Sequence, residues 1–497
     1  MLDITGYEKF AYLFKLFEEI SSVPRGSGNT APIADYLKRF AGERGLECHR
    51  DGADNILIKK PATKGYENAP TVILQGHSDI VAERSADCSK DMTREGLDLY
   101  RDGDFLRARG TTLGADDGVA LAYALALLDG RAPEHPDLEV LITSNEEIGL
   151  LGAGAFDGSK LRGRLLINID SDEEGVFTVG CAGGVRSDIS LPVNYEVNKS
   201  KKAYRVRLHG LIGGHSGIEI DKGRANAIKL MGEMFNMLYP FDWTVAEMHG
   251  GCADNAIPRE CEAIICGGEE LPNRLREVFA RRRNMFAVMP DLPHNELRKA
   301  DKTVKTLLDI EPDATLDIEE TKLPEKTLVA DSTTDLISLL ILLPSGVISM
   351  SESLDGLVET SLNLGILRLG ERAEASLSVR SAVGAEKTRL CEKLAATVKN
   401  LGADYAERGA YPAWEYREDS HLRSVMVDIY EKIYGKSPKV LTVHAGLECG
   451  ILAEKIPDLD CISIGPDNYD IHTTEERLSI PSFVRVWEYL KEVLKSI

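Results

Sequence analysis

The chain has 497 residues, is 43% hydrophobic and 28% charged, and carries a net charge of −21. That length and composition suit a soluble globular protein of two or three domains. The acidic balance excludes the basic footprint that nucleic acid or an anionic membrane surface requires. No uninterrupted apolar run approaches the roughly 18–20 residues that span a bilayer.

The first 180 residues alternate helix-like and strand-like segments. "YEKFAYLFKLFEEI" and "APIADYLKRFAGERG" place apolar residues at helical spacing. "TVILQG" is a short apolar run rich in β-branched residues and predicts a buried strand. "DDGVALAYALALLDG" predicts a helix apolar on most sides. "LEVLITS" and "RLLINID" predict two further buried strands. Strands separated by helices predict an α/β fold with a mostly parallel sheet. From about 184 to 380 the segments become longer, more polar and more alternating, as in "KKAYRVRLHG" and "ECEAIICGG". This predicts an inserted α+β domain with antiparallel strands. The charged stretch 281–313 reads as solvated helices and loops within it. From about 381 the first rhythm returns, with "SVMVDIYEKIYG", "KVLTVHAG", "CISIGP" and "SFVRVWEYLKEVLKSI". The expected organisation is one discontinuous domain, 1–183 and 381–497, interrupted by a second, 184–380.

The nine cysteines are odd in number, scattered, and form no CxxC pair. They predict reduced thiols in a cytoplasmic protein, not a disulfide frame or a zinc knuckle. The amino-terminal stretch has no basic start followed by an apolar run, which predicts no signal peptide.

Ligands of parallel sheets bind beyond the carboxyl ends of the strands, so the residues that follow each expected strand are the candidates. His77 and Asp79 follow "TVILQG". Glu146 and Glu147 follow "LEVLITSN". "RLLINID" ends on Asp170, and His472 comes after "CISIGPDNYD". Asp116 and Asp117 open the alanine-rich helix. Imidazole and carboxylate together suit two divalent ions of the zinc or manganese type. A carboxylate such as Asp116 can bridge two ions about 3.5–4 Å apart. Asp79 can accept the second imidazole N–H of His77 and fix its tautomer. One of the paired glutamates can bind metal while the other moves a proton; spacing does not say which. Taken singly, each piece has an ordinary reading. HxD can be a hydrogen-bonded turn, EE a solvated helix start, and DD an N-cap. Their joint placement at consecutive strand ends favours the site.

The stretches "LQGHSDIV", "RGTTLGADDGVALA", "TSNEEIGLLGA", "LLINIDSDEEGVFTVGCAGG", "GLIGGHSGIEI", "NAIPRE", "ETSLNLG", "HAGLECG" and "SIGP" resemble those of the M20 co-catalytic metallopeptidases. "GGHSG" with "HAGLECG" narrows the resemblance to the aminoacyl-histidine (Xaa-His) dipeptidase branch, and it extends over nearly the whole chain. The resemblance implies that His77 and Asp170 hold one metal ion, Glu147 and His472 a second, and that Asp116 bridges them. Zn2+ is the expected ion, with Mn2+ or Co2+ as alternatives. Glu146 would be the general base, Asp79 would support His77, and the Asp116–Asp117 peptide would be cis. The insertion would be a lid and dimerisation domain. Within it, His215 would stabilise the oxyanion, and Asn255 and Arg380 would bind the substrate's carboxylate or backbone. His444 and Glu448 would line the substrate pocket, with a helix-start role as the competing reading. The implied activity is hydrolysis of small unblocked dipeptides, Xaa-His among them. A tripeptidase, a carboxypeptidase or an N-acyl-amino-acid hydrolase is the alternative on the same chemistry, and a non-catalytic scaffold is the alternative outside it. The implied partners are a peptide substrate and a second copy of the chain, with no nucleic acid and no membrane. The sequence departs from the family pattern at Ser78, at Asp117, and in the loop "GPDNYDIHTTEE" that carries His472.

Overall fold

The computed structural model describes residues 2–132, 134–240, 242–284, 306–352, 354 and 356–497. The chain divides into two compact units. The first comprises Met1–Cys181, Tyr416–Thr442 and Leu447–Ile497, and the second Ala182–Glu415 and Val443–Gly446.

The first unit is built on an eight-stranded sheet. Its spatial order is Glu47–Arg50, Ile56–Lys60, Leu138–Thr143, Val72–His77, Leu165–Asn168, Asp460–Ser463, Val176–Cys181 and Lys439–Val443. The four strands from Leu138–Thr143 to Asp460–Ser463 pair in parallel. They are short, mostly apolar runs buried along their length, as strands covered on both faces are. The strand order reverses at Val72–His77. The strand that follows it in the sheet lies on one side (Leu138–Thr143) and the next on the other (Leu165–Asn168). Such a reversal opens a crevice at the carboxyl ends of the strands, and His77 is the last residue of the central one.

The helix Ala115–Leu128 is buried from Asp117 to Leu128 and packs against both Val72–His77 and the helix Ala11–Ser21. Close approach explains its glycine: a Cβ at Gly118 would stand 3.2 Å from the Phe17 ring and 2.7 Å from the Arg25 guanidinium. Tyr123 stacks on Phe483 of the closing helix Ile480–Ser496 at 5.1 Å, and Phe14 and Phe17 meet Phe483 edge-on.

The second unit carries a nine-stranded sheet whose paired strands are antiparallel among the described residues. The strand Lys202–His209 alternates buried and exposed residues along its second half, the mark of a sheet with one covered face. Helices Ala227–Asn236 and Ala330–Leu342 pack together against that sheet. The expected return to the first domain at 381 is corrected. Residues 381–415 belong to the second unit, because Asp404–Tyr411 pairs with Gly183–Pro192 and the helix Gly384–Asn400 lies on the same strands. Asp404–Tyr411 is a mostly exposed edge strand, so it shows no apolar rhythm. Of the charged stretch 281–313, residues 285–305 lie outside the described residues. Leu307–Ile310 forms a short helix closed by a Thr306–Asp309 capping box. No helix among the described residues is long and apolar enough to cross a membrane.

Candidate metal centre

The strand ends of the first unit bring His77, Asp79, Asp116, Glu146, Glu147, Asp170 and His472 together. His77 is buried at the end of its strand, and its main-chain N–H donates to Asp117 Oδ2 at 3.1 Å. Nε2 lies 2.9 Å from Asp116 Oδ1 and 3.4 Å from Asp170 Oδ1. On the other oxygen of the same carboxylate, His472 Nε2 lies 3.1 Å from Asp116 Oδ2, and 2.9 Å from Glu147 Oε1. Asp116 thus stands between two imidazoles, each with its own second carboxylate. Three sets of potential ligand atoms lie within 4.8 Å of one another: His77, Asp116 and Asp170; Asp116, Glu147 and His472; and His77, Glu146 and Glu147.

The two adjacent aspartates divide the functional and the ordinary reading between them. Asp116 faces the imidazoles. Asp117 turns inward, taking the N–H of His77 on one oxygen and the N–H of Ala120 on the other, as an N-cap does. The Asp116–Asp117 peptide is cis. Gly76 has no room for a side chain, because a Cβ there would overlap Ala120 and the Asp117 carboxylate.

Asp79 departs in detail from its expected role. The nearer acceptor to His77 Nδ1 is the Asp79 main-chain oxygen, at 3.1 Å, with the carboxylate 3.7 Å away. The carboxylate accepts instead from Ser27 Oγ at 2.8 Å and from the Glu146 N–H at 3.0 Å. It therefore links the histidine's segment to the paired glutamates.

Electrostatics follow from packing so many acids together. Burial pushes the Glu146 carboxyl well above its ordinary value, with the neighbouring acids Asp170, Glu448 and Glu147 adding to the rise. Burial likewise raises Asp170 to about 6. Burial opposes the charging of His77, yet the facing Asp170, Asp116 and Asp79 outweigh it and hold its pKa well above the usual range. The hydrogen bond to Asp116 and the close Glu147 carboxylate lift His472 to about 10. These histidines face a density of negative charge that a cation would satisfy. Glu147 Oε1 is buried and, despite its 2.9 Å approach to His472, makes no aligned hydrogen bond. That suits a ligand atom better than an ion-pair partner, so the residues present fit a metal.

Glu448 is corrected. It is 0% exposed and so lines no pocket. It opens the helix Glu448–Lys455 and accepts on Oε2 from Gln75 Nε2 at 2.6 Å and Thr143 Oγ1 at 2.5 Å. Asn168 Nδ2 donates to Gln75 Oε1 at 2.6 Å, extending the network across the sheet. Gln75, Thr143 and Asn168 were not singled out by sequence. Their only signal is a polar residue within a mostly apolar strand, for Gln75, or at its end, for Thr143 and Asn168.

His215, Asn255, Arg380 and His444 belong to the second unit. His215 sits on the hairpin Gly214–His215 with Ala256–Ile257, immediately beside Asn255, which is exposed and whose main-chain oxygen accepts from Ser216 N at 2.8 Å. His215 Nδ1 accepts from the N–H of Gly217 at 3.1 Å and of Ile218 at 3.3 Å, leaving the proton on Nε2. Burial, helped by the Arg380 charge, keeps this ring neutral. Arg380 is buried with Nη1 on the Tyr411 hydroxyl at 3.0 Å and Nε without a hydrogen-bond partner. His444 Nε2 meets Ser361 Oγ at 2.7 Å, and burial followed by the Arg380 charge lowers its pKa to about 3.

Fold and side-chain set together define an α/β protein whose strand-end crevice suits divalent metal. Residues 73–496 match peptidase family M20/M25/M40. The chain is 36% identical to the cytosol non-specific dipeptidase of Escherichia coli over 98% of its own length and 97% of that relative's. It superposes on the crystal structure of aminoacylhistidine dipeptidase from Vibrio alginolyticus with a TM-score of 0.88 and 34% identity, covering 98% of this chain and 96% of the other. The aminopeptidase PepT from Bacillus cereus shares the fold, with a TM-score of 0.54, 16% identity and 98% coverage of each chain. The chain belongs to the M20/M25/M40 peptidase family.

Proposed function

We propose that the chain is a co-catalytic two-metal dipeptidase that hydrolyses unblocked dipeptides, Xaa-His dipeptides among them. The observation that carries the reading is the Asp116 carboxylate, whose two oxygens each meet a different histidine at 2.9 and 3.1 Å. His77 and Asp170 would hold one ion, Glu147 and His472 the other, and Asp116 would bridge them. Imidazole and carboxylate ligands suit Zn2+, with Mn2+ or Co2+ as substitutes. Such a pair, when bound, acidifies a water and polarises the scissile carbonyl. Glu146, whose buried carboxyl has a raised proton affinity, would take the proton from the attacking water and pass it to the leaving amine. Asp79 would hold both His77 and the Glu146 backbone in place.

The residues of the second unit take their roles from the family resemblance. His215, neutral with its proton on Nε2, is a donor for the oxyanion that develops in the transition state. Arg380, Asn255 and His444 would bind the substrate's carboxylate and backbone, and the second unit would serve as lid and dimerisation domain. The Escherichia coli relative is named as a cytosolic enzyme, and nine cysteine thiols fit the same compartment.

The test is hydrolysis by metal-free protein before and after Zn2+, Mn2+ or Co2+ is restored. The panel is β-Ala-His, Gly-His, an aliphatic dipeptide, a tripeptide and an N-acetylated amino acid. Metal-dependent cleavage confined to unblocked dipeptides is the expected result. Preferential cleavage of the tripeptide or the acetylated substrate would move the chain to a different specificity within its family. No cleavage with any metal would overturn the reading.

A further inference from the structure

We infer that Glu476 is a positioning residue for the metal centre: its buried carboxylate ties the turn that carries Asp116 to the loop that carries His472. The inference rests on the two-ion reading above. Glu476 is 3% exposed. Its Oε2 accepts from the N–H groups of Leu113 and Gly114, each at 2.8 Å. Its Oε1 accepts from Ala115 N at 2.9 Å and, more weakly, from Asp116 N at 3.4 Å. Successive N–H groups converging in this way form an anion-binding nest, and here the anion is supplied by the chain itself. The last N–H of the nest belongs to Asp116, whose side chain stands between the two histidines.

The far end of the tie is His472, four residues earlier. His472 differs from His77 in how it is held. His77 ends a central strand and is buried. His472 sits on an irregular loop with a φ of 62° and a side chain 43% exposed. Within the loop, Thr473 Oγ1 donates to Asp470 O, Glu475 N to Thr473 Oγ1, Glu476 N to Thr473 O, Arg477 to Asp470, and Asn468 Nδ2 to Glu476 Oε1 at 3.4 Å; from outside it, Arg107 Nη1 donates to Glu475 O at 3.1 Å, a contact that does not reach the Asp116 turn. His472 meets the Asp116 side chain, and Glu476 is the residue through which this loop grips the main chain of the Asp116 turn. The same turn is held on its other face by Arg25, which is 2% exposed and donates to Gly114 O at 2.5 Å and to Ser78 O at 3.0 Å. Arg25 thus fixes the turn against the segment of His77, and Glu476 fixes it against the loop of His472. Loss of Glu476 releases one side of the centre and leaves the other side anchored.

A plain structural cap and a positioning residue differ in what they change. A cap alters the melting temperature. A positioning residue alters the affinity of one ion relative to the other. The experiment is titration of metal-free, full-length protein with Co2+, followed by visible absorption and calorimetry. The variants are Glu476→Gln, which keeps the shape but presents one acceptor oxygen, and Glu476→Asp, which keeps the charge with a shorter reach. Ser420→Ala is the control. Ser420 caps the helix His421–Tyr434, outside the proposed metal ligands.

Two Co2+ are expected for the wild type. Glu476→Gln should bind the first ion as the wild type does and the second about 10–100-fold more weakly, the usual effect of losing a partner behind a ligand. Ser420→Ala should lower the melting temperature and leave both affinities unchanged. If Glu476→Gln does not fold, Glu476→Asp carries the same comparison, with a smaller weakening expected. Wild-type affinities at both sites in a folded Glu476 variant would overturn the inference and leave the two-ion reading standing. Equal weakening of both ions, matched by Ser420→Ala, would also overturn it. Fewer than two ions on the wild type would overturn the two-ion reading itself, and this inference with it.

Discussion

The two units place histidines in opposite electrical surroundings. In the first, His77 is faced by Asp170, Asp116 and Asp79, and His472 by Asp116 and Glu147, and both rings are held above their ordinary pKa. In the second, burial and the single charge of Arg380 push His215 and His444 down. The side chain is the same and its surroundings decide its use. Carboxylates make the first pair a candidate cation receptor. Burial and the Arg380 guanidinium keep the second pair neutral, and a neutral imidazole with one N–H is a donor. In the proposed function the first pair would hold metal ions and the second would donate to the substrate.

The sharpest way to break this comparison is to remove the proposed proton carrier from the acidic unit. Glu146→Gln keeps the shape and the Asp79 contact, which runs through the main chain. Steady-state kinetics should show kcat reduced by roughly a hundred- to ten-thousand-fold, with metal stoichiometry unchanged. A variant that kept a tenth of the activity would remove Glu146 from the role of base. The second test removes the cation from the other unit. Arg380→Met should lower kcat/KM by about 10–100-fold, the range of a lost charge-assisted hydrogen bond. It should leave metal affinity intact and let His215 and His444 titrate at higher pH, read by NMR of the ring protons. Unchanged histidine titration would sink the claim that Arg380 sets their neutrality.

Much of the acidic unit was legible before any coordinates, and the reason is physical. Parallel strands buried on both faces read as short, mostly apolar runs, so Val72–His77, Leu138–Thr143 and Asp460–Ser463 announce themselves. Their ends are then the places to look. What could not be read is whatever the pairing decides. Glu475 and Glu476 are adjacent and chemically identical. One side chain is 76% exposed, and the other is enclosed by four N–H groups contributed by residues more than 350 positions away. Asp116 and Asp117 divide metal-facing and capping roles for the same reason. The boundary at 381 failed because Asp404–Tyr411 is an exposed edge strand whose place is fixed by its partner Gly183–Pro192.

Glu448 gives a third test, through stability. Burial raises its carboxyl from 4.5 to about 7, against the hydrogen bonds from Thr143 and Gln75 that favour the charged form. A carboxyl whose folded pKa lies above its unfolded one binds its proton more tightly when folded. Its contribution to stability is complete below about pH 4.5 and is lost as pH rises through 7. Glu448→Gln is neutral at every pH and keeps an acceptor for Gln75 and Thr143. In metal-free protein the variant should therefore match the wild type near pH 4.5 and exceed it at pH 8, by up to about 3 kcal/mol, in denaturant titrations. A constant difference across that range would mean that Glu448 is charged in the fold at all these pH values.

The smallest expected effect comes from a histidine that imitates the metal centre without belonging to it. His209 Nε2 lies 2.8 Å from Asp317 Oδ2, a shorter contact than either histidine makes with Asp116. It joins neighbouring strands of the second unit's sheet, with both side chains partly exposed. Solvent screens such a pair and side-chain entropy opposes it, so its worth is about 1 kcal/mol or less. His209→Ala should shift the unfolding free energy by no more than that and leave kcat, KM and metal stoichiometry unaltered. A larger loss of activity would mean that a close histidine–carboxylate contact is enough to mark function. The expected silence says otherwise: what distinguishes His77 and His472 is convergence, since two imidazoles share one carboxylate and each brings a second of its own.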